Sequence, residues 1–153
     1  MAAKQQTGVH LWLVLMKAFH AISAHATATL AETGLGDSDF RVLEALLHKG
    51  PLPVNTIGPK VHLTAGSISV AVDRLHAKGL VSRVESPEDR RVRVVALTPR
   101  GRALITRIFR EHADAIERVA ATLSEKERAQ LTEGLKKLGK YAHSLPPPGS
   151  RTG

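Results

Sequence analysis

The 153-residue chain contains no cysteine. That absence excludes disulfide scaffolds, Cys-ligated zinc, thiol nucleophiles and thiolate redox switches. Long apolar runs are missing too: the longest near the N-terminus, Leu11 to Met16, ends after six residues at Lys17. It is too short for a signal-peptide core or a membrane span, so a soluble, cytoplasmic protein without a membrane partner is expected. There is no glycine-rich phosphate loop, no Gly-x-Ser-x-Gly elbow and no His-Glu-x-x-His pair, and most Asp and Glu fall at helix starts, where the helix dipole explains them. No enzyme is expected. His10, His20, His25, His48, His62, His76, His112 and His143 lack metal-ligand pairing and have no cysteine to support them, so neither a metal nor a cofactor is expected.

What the chain does have is positive charge in one place. Twenty-two Lys and Arg against 14 Asp and Glu give a formal net charge of +8, and 42% hydrophobic residues are enough for one compact, cored domain. Between Lys60 and Arg110 there are eleven basic and four acidic residues, a net of +7 that leaves +1 for the rest. Such a localised field is the footprint of a nucleic-acid binder, because Lys and Arg displace the counterions condensed on phosphates. A solvated basic face is the plainer alternative, and the residue pattern must decide.

Residues 8–32 have no glycine after Gly8 and no proline, and place Leu11, Leu15, Phe19 and Ile22 at helical spacing. The first turns of this helix are apolar nearly all round, so it needs partners on several sides. After Gly34-Leu35-Gly36, Asp37 or Ser38 can cap a second helix through Val42, Leu43, Leu46 and Leu47 to Gly50, and Pro51 and Pro53 force an extended link. A short amphipathic piece, Val54 to Val61, leads to a turn at His62-Leu63-Thr64. Proline at position 59 removes a donor and is expected to shorten or kink this piece. Thr64 can cap a helix from Ala65 to Lys78, with Ile68, Ala71, Val72 and Leu75 inward, Ser67, Ser69, Val70 and Arg74 outward, and Gly79 as the stop. Leu80 to Val84 and Val92 to Leu97 are β-rich and flank a charged stretch, which predicts a hairpin. Thr98-Pro99 opens a helix to about Ala121, and Ser124-Glu125-Lys126-Glu127 is a capping box for a last helix carrying Leu131, Leu135, Leu138 and Tyr141. Residues 143–153, with three consecutive prolines, read as a flexible tail.

Two helices joined by a short turn, the second showing small polar residues outward and followed by a hairpin, make a winged helix-turn-helix. The fold class is therefore mainly α with a small β wing. In such a fold the second helix enters the major groove and the hairpin reaches the backbone or minor groove. Small residues at Thr64, Ala65, Gly66, Ser67 and Ser69 allow close approach, their hydroxyls bond phosphate or base edges, and Arg74 is long enough to reach either. Arg90 and Arg91 at the hairpin tip suit a narrow, negative minor groove. Glu88 and Asp89, beside two arginines at a turn, read as part of that tip and not as a catalytic dyad.

Leu63 to Ser69, Asp73-Arg74-Leu75, Lys78 to Val81, Ser86 to Arg91 and Leu97-Thr98-Pro99-Arg100-Gly101, taken in this order, resemble the MarR family of transcriptional regulators, whose most specific mark is the Asp-x-Arg wing. With the flanking helices the resemblance covers roughly residues 8–142. Leu46 to Pro53 and Leu63 to Ser67 are similar to the branch that controls quinone and aromatic-electrophile detoxification genes. The resemblance implies a homodimer with interdigitated terminal helices and two winged domains on a pseudo-palindromic operator in double-stranded DNA, with reading helices about 34 Å apart. It divides the chain into an N-terminal dimerisation helix (8–33), a DNA-binding domain (37–98) and C-terminal dimerisation helices (99–142).

It further implies DNA contacts from Thr64, Ala65, Ser67, Ser69, Arg74, Arg90 and Arg91, with Asp89 fixing the wing by pairing with an arginine. Leu11, Leu15, Ile116, Leu131, Leu135 and Leu138 would form the dimer interface. Trp12 and His20, eight residues apart on the first helix, have two readings: contacts in a cleft for a small aromatic effector, or dimer core for Trp12 and a partly exposed position for His20. The expected function is a repressor released by a non-covalently bound aromatic or phenolic ligand. An effector-free, sequence-tolerant DNA-packaging protein is the alternative.

Overall fold

A computed structural model describes residues 7–146. Among them the elements run α1 (Gly8–Ala28), α2 (Asp37–Lys49), β1 (Leu52–Pro53), α3 (Val54–Val61), α4 (Ala65–Ala77), β2 (Val81–Glu85), β3 (Arg93–Leu97), α5 (Pro99–Ala120) and α6 (Glu125–Ser144). The architecture is mainly helical with a small antiparallel sheet ordered β1-β3-β2. β1, expected only as an extended link, pairs Leu52 with Val95 and Pro53 with Val94. Proline is tolerated there because β1 is an edge strand. Of the expected tail, His143 and Ser144 close α6, and 147–153 lie outside the described residues.

Local chemistry sets the element ends. α1 stops at Ala28, four residues before the expected end. Thr27, Thr29 and Thr33 donate their hydroxyls to the carbonyls of Ser23, Ala26 and Leu30 at 2.9, 3.1 and 2.7 Å, competing with the amides that would extend the helix. The cap of α2 is Gly36 and not Asp37 or Ser38: the Gly36 amide donates to Asp39 Oδ2 at 3.1 Å. α3 runs through Pro59 to Val61 and is not broken. The amide lost at Pro59 would have met the carbonyl of Asn55, which is exposed and can turn to water. His62 then turns the chain with a left-handed φ of 56°.

Thr64 caps α4, accepting from Ser67 N at 3.2 Å, and Ser124 and Glu127 form the capping box of α6. The backbone and side chain of Ser124 both donate to Glu127, which lowers its carboxyl pKa below the ordinary value. A depressed carboxyl stabilises the cap above its unfolded pKa, and that contribution is lost as pH falls through the folded one.

The described chain forms two compact units that divide between Ile116 and Glu117. In the first, Val42, Leu43 and Leu46 of α2 pack with Ile57, Ile68, Leu75, Val95, Ile105 and Ile108, all 1% exposed or less. Each such side chain contributes roughly 1.5–3 kcal/mol. α1 has no buried residue, and Leu11, Trp12, Leu13, Val14 and Phe19 are 49–61% exposed. In the second unit α6 likewise has none.

The start of α5 is locked to the end of α4. Gly79 at φ 70° ends α4, Leu80 N donates to Leu75 O at 3.0 Å, and Thr98 donates its hydroxyl to Gly79 O at 2.7 Å and its amide to Leu80 O at 3.1 Å. The same hydroxyl accepts from Gly101 N at 3.0 Å, capping α5. A Cβ on Gly101 would stand 1.9 Å from Leu80 O, so only glycine fits. Gly101→Ala is expected to destabilise the protein by about 3 kcal/mol or more in urea unfolding; a loss under about 1 kcal/mol would show that this junction is not rigid.

Candidate nucleic-acid interface

α4 shows one face to the core and another to solvent. Ile68, Ala71, Val72 and Leu75 are buried, while Ala65, Gly66, Ser67, Ser69 and Val70 are exposed. Nothing lies within 4 Å of a Cβ placed on Gly66, so the first turn is bare backbone that another molecule can approach closely. The Thr64 hydroxyl is used by the cap and also donates to Ser67 Oγ at 2.9 Å. That bond leaves the Ser67 proton free for an outside acceptor, beside the positive end of the helix dipole. Val70, 53% exposed, adds an apolar contact of the kind that meets a thymine methyl.

Three consecutive residues hold this helix in place. Leu75 is 0% exposed in the core. Asp73 pairs with Arg83 of β2, tying α4 to the hairpin. Arg74, expected as a DNA contact, has a different set of partners: Nε and Nη2 donate to Asp39 Oδ1 at 3.2 and 2.9 Å, and Nη2 donates to Ser38 Oγ at 3.1 Å. The reason is the burial of Asp39, 2% exposed at the start of α2, whose charge needs a cation. The sequence signal for Asp39 is an acidic residue three positions after Gly36, at the head of an apolar-striped helix, a pattern that the motifs above do not include.

The hairpin pairs Val81 with Leu97 through Glu85 with Arg93. Beyond it, Ser86 N donates to Val92 O at 2.8 Å and Val92 N to Asp89 O at 2.9 Å. Asp89 Oδ1 accepts the backbone amide and Nε of Arg91 at 3.0 and 3.3 Å, so the Asp-x-Arg motif is a tip turn closed by its own carboxylate. The Arg91 side chain is 92% exposed, and Arg90 is exposed beside it. A turn closed by hydrogen bonds thus carries two exposed cations.

The remaining expected residues are scattered. Trp12 (58%) and His20 are exposed on α1, Leu15 and Ile116 are half-buried, and Leu131, Leu135 and Leu138 are 52%, 41% and 41% exposed on α6. An aromatic group that the sequence did not reveal lies between α2 and α5. His112 is 5.0 Å from Phe40 between ring centroids, Phe109 meets His48 edge-on at 4.7 Å, and His112 Nδ1 is 3.3 Å from Ala26 O at the end of α1.

A helix with a small, hydroxyl-bearing outer face, pinned beside a hairpin with exposed arginines, defines a winged helix-turn-helix DNA-binding protein. The family model described as MarR family matches residues 33–92. The HTH-type transcriptional regulator MhqR of Bacillus subtilis is 40% identical over 134 residues, 88% of this chain and 92% of that protein. Among solved structures, PcaV of Streptomyces coelicolor, in complex with its natural ligand, has 26% identity and a TM-score of 0.71, covering 93% of this chain and 99% of that one. BpsR of Bordetella bronchiseptica, whose DNA binding is regulated by 6-hydroxynicotinic acid, has 25% identity and a TM-score of 0.75, covering 84% and 98%. The chain belongs to the MarR family; it is a DNA-binding transcriptional regulator and not an enzyme.

Removing Arg74 leaves a buried carboxylate without its cation. Arg74→Ala is expected to lower unfolding stability by about 2–4 kcal/mol, with Arg74→Lys intermediate. Stability unchanged within about 0.5 kcal/mol would mean that the pair does not hold α4.

Proposed function

We propose that the protein is a homodimeric repressor that occupies a pseudo-palindromic operator and is released when a small aromatic or phenolic ligand binds without a covalent bond. The observation that carries the DNA reading is the outer face of α4, with Thr64, Ala65, Ser67 and Ser69 at its N-terminal end and Arg90 and Arg91 on the neighbouring wing. Ser67, Ser69 and the wing arginines contact DNA directly, while Arg74 and Asp89 act by positioning α4 and the tip. In a symmetric dimer the two reading helices meet successive major grooves about 34 Å apart.

Second copies cover what one chain leaves bare. The exposed apolar side chains of α1, Leu11 among them beside half-buried Leu15, and those of α6, with Leu131, Leu135 and Leu138, are too many for a surface facing water. On this reading 8–33 and 99–142 are dimerisation arms around a DNA-binding domain at 37–98. The segments Leu46 to Pro53 and Leu63 to Ser67 support placing the chain in the quinone and aromatic-electrophile branch.

The effector reading rests on two supports. One is BpsR, a relative regulated by a hydroxylated aromatic acid. The other is the aromatic group of Phe40, His48, Phe109 and His112, which joins Trp12 and His20 as candidate ligand contacts. The chain has no cysteine for an adduct, so release is a population shift. Tenfold release needs about 1.4 kcal/mol of preference for the conformer with misplaced reading helices.

The test is DNA selected by the protein from a random pool, measured against unrelated duplex at fixed salt. A specific regulator is expected to prefer its own site by about 10³ or more. Equal affinities would instead make it a packaging protein. Arg91→Ala is expected to weaken operator binding and reduce the salt slope by about one while the dimer persists; unchanged binding would remove the wing from the mechanism. Leu15→Glu puts a charge in the proposed interface and is expected to give monomers that bind weakly. A variant still dimeric by light scattering would place the interface elsewhere.

A further inference from the structure

We propose that the cavity between the second half of α4 and the wing strands is a phosphate-binding site, filled in the DNA complex by a backbone phosphate of the duplex. The placement rests on the DNA-reading function proposed above. The cavity measures about 370 Å³ and is lined by His76 of α4, Arg83 of β2 and Arg93 of β3. The strand register pairs Arg83 with Val95 and Glu85 with Arg93, so with period-two alternation these residues share one face of the hairpin with Val81. Near the helices that face is apolar, with Val81 and Val95 buried. Further out it carries Arg83, Glu85 and Arg93.

The lining offers donors. Arg83 pairs with Asp73, and its Nη2 lies 3.5 Å from His76 Nδ1. Arg93 Nη1 pairs with Glu85 Oε1 at 3.3 Å. Each guanidinium has five N–H groups in a planar fork, and a single carboxylate partner leaves most of them unused. Asp73 and Glu85 orient the two forks and offset part of their charge, so affinity for a free anion is low and occupancy depends on a polyanion holding a phosphate in place.

Position singles out phosphate from other oxyanions. With α4 in a major groove and the wing tip at the adjacent minor groove, the strand dividing the grooves passes between helix and wing. That is where His76, Arg83 and Arg93 lie together. Because the partner is backbone, the site adds affinity and register without reading sequence.

The experiment uses the full chain with His76→Gln and Arg93→Gln, titrated with pool-selected DNA and with unrelated duplex across a salt series, beside Arg91→Ala. Arg93→Gln is expected to weaken both DNAs on the order of tenfold and to lower the salt slope by about one, leaving their ratio unchanged. His76→Gln is expected to weaken both by a smaller factor, because one ring contact is lost while both guanidinium charges remain. Wild-type affinity and slope in both variants, while Arg91→Ala weakens binding, would overturn the DNA placement. A parallel titration of the DNA-free protein with inorganic phosphate follows the His76 ring resonances. Saturable shifts lost in Arg93→Gln, with DNA binding unaffected by either variant, would reassign the site to a free phosphate. No shift and no change in DNA binding would overturn the site altogether. If the wild type binds no duplex at all, the regulator reading fails instead, and the phosphate titration alone decides the cavity.

Discussion

Asp39 is the one charged side chain buried among the described residues, and its two oxygens are divided between two tasks. One accepts the Gly36 amide and starts α2; the other accepts the Arg74 guanidinium and binds α4 to it. A carboxylate in this position is unfavourable unless both oxygens are used, because losing water is repaid only by good hydrogen bonds and an opposite charge. α4 therefore has one seat in which Asp39 is satisfied. The exposed face of α4 inherits its aim from that seat, and with it the direction of Ser67 and Ser69.

The neighbouring contacts extend the same constraint. Asp73 carries α4 to Arg83 on the hairpin, and Thr98 carries the end of α4 to α5 through Gly79 and Gly101. Helix, wing and α5 are coupled at their junctions by side chains of fixed reach. Change that reaches α5 can then reach α4. The aromatic group of Phe40, Phe109 and His112 touches α2, α5 and the carbonyl of Ala26, so a molecule disturbing it would act on the elements that seat α4.

Much of this was legible from residue order. The stripe Ile68, Ala71, Val72 and Leu75, the caps at Thr64 and Ser124 and the glycine stop at Gly79 act locally, so periodicity and cap chemistry recover them. Long-range partnerships were not. Arg74 is legible as an outward arginine on α4, but its carboxylate partner 35 residues away is not. β1 escaped because a two-residue edge strand containing proline has no alternation to detect. The cavity of His76, Arg83 and Arg93 depends on the register of β2 and β3, which sequence patterning leaves open by several residues. Pro59 shows the reverse error: a residue that breaks long helices does little at the sixth position of an eight-residue one.

The central claim is that specificity depends on how α4 is seated and not only on what its surface carries. Asp39 can test this, because at 2% exposure it cannot touch DNA. The decisive measurement is the ratio of affinities for selected and unrelated DNA in Asp39→Asn, a substitution that keeps an oxygen for the Gly36 amide and removes the charge that orients Arg74. A ratio at least about tenfold below wild type is expected, with affinity for unrelated DNA nearly unchanged, since the exposed Lys and Arg charges remain. A folded, dimeric Asp39→Asn protein with the wild-type ratio would contradict it.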